Sequence, residues 1–512
     1  MFKKIWKLIS SRLFIVMVLI LIQFFVFMLP SLMLNEYSIS FNRFFRWLAI
    51  SLAIYIAARA DNPTYRLTWI MLILVSPVLG SLMYLVFGAK KVPKALRVRD
   101  AKLAKTMDLY LEEEEAIKNE LKKKDPNALK QTRYISSSSS FPIYQHTRTQ
   151  FFPIGEEQFE EMKRQLNRAK DFIFMEFFII DYGEMWDEII TILKKKVEEG
   201  VDVRLLYDDF GTITTFTPDY HKKLNRMGIK TKVFNPIKPR LAIQMNNRDH
   251  RKILVVDGRV AMTGGINLAD EYINRKVRFG HWKDCGCLIE GEAVWSFTLM
   301  FLQFWNFDEK EKDNYDRYRL PREAFASVES DGYVQPYSDS PTDSENVGEC
   351  THINMINNAT DYVYIMTPYL VLDQETKTSL ILACKNGVDV RILVPHIPDK
   401  WYVFALTRHN YQELSKHGVK IYEYTPGFVH AKTFVADDKY AIVGTTNMDY
   451  RSYYLHYECG VWFYQSSLIK KMKEDYLATL EKSQQVTYED CMNVSIVVRI
   501  VRAILNLLAP LM

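Results

Sequence analysis

At 512 residues the chain exceeds what one core organises, so two or three domains are expected. Its 48% hydrophobic and 25% charged residues are close to a soluble globular balance, and a net charge of +5 excludes a strongly basic nucleic-acid binder. The six cysteines form no CxxC pair, which speaks against a structural zinc site or a disulfide framework and for free thiols in a reducing compartment.

The apolar excess lies in the first ninety residues. Leu13 to Leu34 is uncharged, follows Lys3, Lys4, Lys7 and Arg12, and lacks a small-residue cleavage site, which reads as a retained membrane anchor. Leu67 to Gly88 is a second uncharged run of spanning length. Between them, the segment at about 44–60 has a shorter apolar centre, Trp47 to Ala58, flanked by arginines, and reads as a short span or an interfacial segment. Lys90, Lys91, Lys94, Arg97 and Arg99 follow, so the positive-inside rule places the remainder in the cytoplasm of a multi-pass protein. Residues 1–92 are thus expected to anchor the chain. Residues 93–145 read as a solvated charged helix and then a flexible connection at Ser136 to Ser140.

Beyond this point the chain repeats itself. AKDFIFMEFFIID at Ala169 corresponds to ATDYVYIMTPYLVLD at Ala359, each a nearly continuous apolar run as a buried strand requires. ILKKKVEEGVDVRLLYDD and LILACKNGVDVRILVPH share the string GVDVR, a helix that ends at glycine and feeds a β-branched strand. LNRMGIKTKVFNP is then answered by LSKHGVKIYEYTP. Two α/β halves are expected, at 146–325 and 326–490.

Each half ends its repeat on the same motif. His250, Lys252 and Asp257 in the first half match His430, Lys432 and Asp437, exactly 180 positions on. A histidine and a lysine two apart on a strand face the same way and set a nucleophile or proton carrier beside a fixed positive charge, which suits a phosphate. Asp257 and Asp437 complete the motif but fall on the other face of the strand, where capping a turn or anchoring backbone is the expected work.

HRKILVVDGRVAMTGGIN and HAKTFVADDKYAIVGTTN resemble the paired HxKxxxxD motifs of the phospholipase D superfamily. With the N-terminal hydrophobic hairpin, TGGINLADEY, NMDYRS and the terminal LLAPLM, the chain resembles the bacterial cardiolipin synthases from about residue 44 onward. The resemblance implies two tandem phospholipase D-like α/β/α halves packed with pseudo-twofold symmetry, preceded by transmembrane helices. It implies phosphatidyl transfer between two phosphatidylglycerol molecules at a bacterial cell membrane, with anionic membrane lipids as partners and no nucleic acid. A phospholipase D or another phosphatidyltransferase, using water or a different alcohol, is the alternative.

The chemistry of a phosphodiester fits these residues. One histidine attacks phosphorus, and the other protonates the leaving oxygen and then deprotonates the incoming alcohol. Either histidine can fill either part. Lys252, Lys432, Asn267 and Asn447 hold the non-bridging oxygens, Thr445 can donate its hydroxyl to phosphate, and Gly264 and Gly265 allow close backbone approach. No metal and no other cofactor is required. Asp284 and Glu458, on the strands that follow each motif, are expected to orient the histidines. At the C-terminus, residues 491–512 place Ser495, Arg499, Arg502 and Asn506 on one face of a helix that is otherwise Ile, Val and Leu, an amphipathic pattern suited to a membrane surface.

Overall fold

Two mixed sheets built on one strand order form the centre of the computed structural model, which describes residue 25 and residues 36–59, 62–88, 94–237, 247–307, 313–343 and 345–511. The first sheet runs Thr147–Phe152, Gly286–Gly291, Val260–Gly264, Ile253–Val256, Phe172–Phe177, Asp202–Asp208, Lys230–Phe234. The second runs Tyr333–Asp339, His456–Tyr464, Tyr440–Gly444, Thr433–Ala436, Tyr362–Met366, Asp389–Pro395, Lys420–Tyr424, with Ser483–Val486 added at the far edge. In each sheet the last three strands shared by the two orders are parallel and joined by helices, as βαβ units are, while the other pairs are antiparallel. The repeated strings of the sequence occupy equivalent strands.

The halves share a core. Phe174, Val255, Ala261 and Cys287 of the first sheet meet Val435, Ala441, Val443 and Val461 of the second in one buried cluster. The helix Val294–Trp305, apolar on most of its circumference, is buried in it along all but Trp295 and Gln303, as a helix of that composition must be in water. Helices cover the outer faces over separate apolar clusters. All six cysteines are free.

Three expectations are corrected. Glu112 to Ser140 is not a solvated helix and a loose connection: the helices Glu115–Lys124 and Pro126–Ser139 bury Ile117, Leu121, Leu129 and Ile135 against the second half. Asp125 caps the second of these, accepting from the Asn127 and Ala128 amides with Pro126 in the first turn, and the serines continue the helix to a left-handed Ser140. Gln335 donates to Ser136 Oγ and ties that end down.

The apolar run Leu67–Gly88 does not form one long helix. Pro77 lacks the amide that would continue the ladder, so the run is split into Pro63–Val75 and Pro77–Phe87. The 22-residue helix Glu36–Ala57 carries Arg43 and Arg46. No helix among the described residues is long and apolar enough to cross a membrane. The anchor expected at 13–34 lies outside the described residues.

The motif histidines and lysines are not on strands. Residues 250–252 and 430–432 are irregular backbone just ahead of Ile253–Val256 and Thr433–Ala436, and the two-residue spacing is held instead by Lys252 Nζ donating to the His250 carbonyl at 2.5 Å. Lys432 makes the same bond to the His430 carbonyl.

Candidate active site

Two short strand pairings between the halves assemble the site. Arg248–Asp249 pairs in parallel with His456–Tyr457 at the start of the second half's last long strand, and the His250 amide continues the ladder to the Tyr457 carbonyl at 2.9 Å. Reciprocally, Gly427–Val429 pairs with His281–Lys283, and the His430 amide bonds to the Lys283 carbonyl at 2.7 Å. Each histidine is therefore carried past the carboxylate of the other half. His250 Nδ1 lies 2.9 and 3.0 Å from the Glu458 oxygens, and His430 Nδ1 lies 2.7 Å from Asp284 Oδ2.

Glu458 already accepts the Thr445 hydroxyl at 2.5 Å and the Ser452 hydroxyl, so its lone pairs face donors and the His250 Nδ1 proton is a further one. That tautomer leaves the Nε2 lone pair free. Burial pushes Glu458 up to about 7 despite the opposing charge of Lys252. Asp284 is moved the other way: burial would raise it, but the charge and hydrogen bond of His430, with Lys432, bring it below the usual carboxylate range.

Both histidines are held neutral. Burial and then the charges of Lys252 and Lys432 depress His250 far below the usual imidazole value. Burial and Lys432 bring His430 to about 4, with Asp284 opposing them. Lys252 and Lys432, 2% exposed, are lowered by burial to about 8 and about 7, so both are positive charges that can be lost near neutral pH.

His250 and His430 open on one cavity of about 550 Å³, together with Asn267 and Asn447. Asn267 is fixed at both ends, its Oδ1 accepting from the Ile179 amide and its Nδ2 donating to Tyr272 Oη, each at 2.9 Å. Asn447 keeps a buried Oδ1 without a partner. Lys252 and Lys432 are buried outside the cavity lining, beside the histidines whose charge they oppose.

Thr445 is not placed for phosphate. It is fully buried, and its hydroxyl donates to Glu458. In the other half Gly265 stands there, and a Cβ on it would strike Asp284 Oδ1, so the glycine makes room for the carboxylate. Asp257 and Asp437, which complete the motif, are engaged by backbone amides. Asp257 accepts from the amides of Lys170, Asp171 and Phe172, and Asp437 from those of Thr360, Asp361 and Tyr362, which pins each hairpin to the adjacent strand. Both have positive φ, the conformation of primed hairpin turns that aspartate tolerates.

The sequence reading missed the walls. Trp282, Tyr272 and Phe428 surround His430 at ring separations of 5.3, 5.5 and 6.0 Å. Phe178 and His456 flank His250 at 5.2 and 5.5 Å. Trp282 and His456 each stand two residues before the carboxylate, so strand parity was the signal that would have found them. Phe178, Tyr369 and Tyr402 line the cavity, whereas Phe177 is core and Trp401 is exposed.

Comparison with known proteins identifies the family. A family model described as cardiolipin synthase, PLD-like domain, matches residues 162–278 and again 352–479, and a phospholipase D-nuclease N-terminal model matches 47–88. An uncharacterized protein of Streptococcus mutans is 46% identical over 87% of this chain and 96% of its own length. A cardiolipin synthase of Halalkalibacterium halodurans is 33% identical over 90% of this chain and 92% of its own. In fold, the chain is similar to the crystal structure of phosphatidylserine synthase from Haemophilus influenzae, with a TM-score of 0.55 and 15% identity over 74% of this chain and 97% of that one. Matched in both halves and over nearly the whole length of such relatives, the chain belongs to the cardiolipin synthase family of phospholipase D-like phosphatidyltransferases.

Proposed function

We propose that the protein moves a phosphatidyl group from one phosphatidylglycerol to the primary hydroxyl of a second, releasing glycerol, and that His250 carries the group between the two. The carrying observation is the reciprocal pairing of His250 with Glu458 and His430 with Asp284 around one cavity. His250 Nε2, neutral and unprotonated, attacks phosphorus. The Asn267 and Asn447 side chains in the lining, and the charges of Lys252 and Lys432 behind the histidines, stabilise the charge that grows on the non-bridging oxygens. The lysines, lowered in the empty site, regain their protons as the phosphate anion enters.

His430 is assigned the proton. The ionised Asp284 supports a positive imidazole, and the arriving phosphate adds a second negative charge nearby, so substrate binding favours the protonated form. That proton goes to the leaving glycerol oxygen. His430, now neutral, takes one from the incoming hydroxyl, which attacks the phosphohistidine and frees His250. The scheme draws on protein side chains alone.

The substrate is brought by a membrane surface. The C-terminal helix Ile496–Leu508 turns Ile496, Val497, Ile500, Val501 and Ile504 outward, while Leu505 packs with Leu406, Val371 and Ala509 on the second half. Ala509 lines the catalytic cavity, and Thr68 of the N-terminal helices donates to the Leu507 carbonyl at 2.7 Å. Leu67, Met71 and Leu74 are exposed on that same N-terminal helix. Apolar surface so disposed suits the headgroup boundary of a bilayer, which the positive-inside rule makes the cytoplasmic face of the bacterial cell membrane.

The test is product analysis by mass spectrometry with phosphatidylglycerol vesicles as the sole lipid. Cardiolipin and glycerol in equal amounts are expected. Phosphatidic acid as the main product makes water the acceptor and overturns the transferase reading.

A further inference from the structure

Where the first half has Trp282, two residues before its carboxylate, the second half has His456. The two positions are not used alike. The Trp282 indole N–H lies 3.4 Å from Asp284 Oδ2. His456 is 8% exposed, and both its ring nitrogens are enclosed without a hydrogen-bond partner. Its Nδ1 lies 3.8 Å from Glu458 Oε1, beyond hydrogen-bond range. One ligand atom from each of His250, His456 and Glu458 falls within 4.8 Å of the others.

Two imidazoles and a carboxylate are a donor set of catalytic zinc sites, in which bonds of roughly 2.0–2.1 Å put neighbouring ligand atoms about 3.3 Å apart. The pairs that Glu458 Oε1 makes with the two histidines, at 2.9 and 3.8 Å, straddle that separation. We propose that Zn²⁺, or another borderline transition ion, binds His250, His456 and Glu458 and switches the transferase off. The inference rests on the part assigned to His250 above.

The block follows from the imidazole's single proton. In the active arrangement His250 donates a hydrogen bond from its Nδ1–H to Glu458 and keeps the Nε2 lone pair for phosphorus. An ion bound at Nδ1 takes that lone pair, so the ring's one proton resides on Nε2 and no lone pair faces the substrate. No substrate bond is made or broken, and the imidazole stays neutral.

Full-length protein, stripped with EDTA and assayed on phosphatidylglycerol vesicles, tests this. Zinc chloride is expected to inhibit, EDTA to restore the rate, and magnesium chloride at equal concentration to leave it unchanged, since magnesium takes oxygen ligands. His456→Gln, scored against its own metal-free rate, is expected to need on the order of tenfold more zinc for half-inhibition. Equal zinc sensitivity of His456→Gln and the wild type, or no inhibition of the wild type, overturns the inference. If His456→Gln is inactive, equilibrium dialysis of zinc decides: one ion fewer bound by the variant supports the site, and equal stoichiometry and affinity reject it. A metal-free wild type that makes no cardiolipin refutes the proposed function instead, so the two failures are distinct.

Discussion

Asp284 of the first half holds His430 of the second, at 2.7 Å across 146 residues of sequence, and Glu458 returns the contact to His250 across 208. Neither half owns a complete site. A histidine without an oriented ring and a fixed tautomer is a poor nucleophile or proton carrier, so the halves are bound together by chemistry as well as by their shared core.

Asp284→Asn is therefore expected to behave as a lesion of His430. The rate of transfer should fall by about 10²- to 10⁴-fold with little change in the melting temperature. Combined with His430→Ala, Asp284→Asn should add almost nothing. Multiplicative losses in the double variant, measured as initial rates, would show that the two residues act separately.

Gly265→Ala should lower stability and activity together. The new methyl group meets the Asp284 carboxylate, and overpacking of this kind costs about 1–3 kcal/mol. Thermal unfolding checks the first part and kcat the second. A variant with unchanged unfolding and unchanged rate would mean that the carboxylate can move without consequence.

The pH profile carries a sign. Lys432, brought down to about 7, loses its positive charge as pH rises through that value in the empty enzyme, and Lys252 follows near 8. The value of kcat/KM, which reports the free enzyme, should fall on the alkaline side from about 7 upward. In Lys432→Arg the charge cannot be lost, so whatever activity remains should show this limb shifted upward. An identical alkaline limb in both proteins would remove the lysine from the profile.

The outward face of the last helix should matter at the lipid surface and nowhere else. Ile500→Asp with Ile504→Asp is expected to raise severalfold the vesicle concentration that gives half-maximal rate, at an unchanged melting temperature, because both side chains are exposed. An unmoved concentration dependence would separate this helix from membrane binding.

Much of this was legible in the sequence, for physical reasons that differ by residue. The two halves showed because GVDVR recurs at a helix-to-strand junction, and such junctions repeat only when the fold does. His250 and His430 showed because the spacing to lysine recurs. The crossing of the carboxylates did not, since it depends on two short parallel pairings between distant segments, which leave no local pattern. Thr445 was misread because a hydroxyl beside a phosphate motif looks available until its partner, Glu458, is seen. Hydropathy reads Leu67 to Gly88 as continuous and does not register the hydrogen bond that Pro77 removes. The serine run failed likewise: composition suggests flexibility, while the Asp125 cap and Gln335 hold it in a helix.

The central claim is that His250 carries the phosphatidyl group while His430 manages the proton, and a donor with an activated leaving group tests it most directly. A phosphatidyl ester of a nitrophenol needs little help from an acid. With it, His430→Ala should release a stoichiometric burst of nitrophenol and accumulate a covalent adduct that peptide mass spectrometry places on His250, while His250→Ala releases none. An adduct on His430, or a burst from His250→Ala equal to that of His430→Ala, would contradict the account.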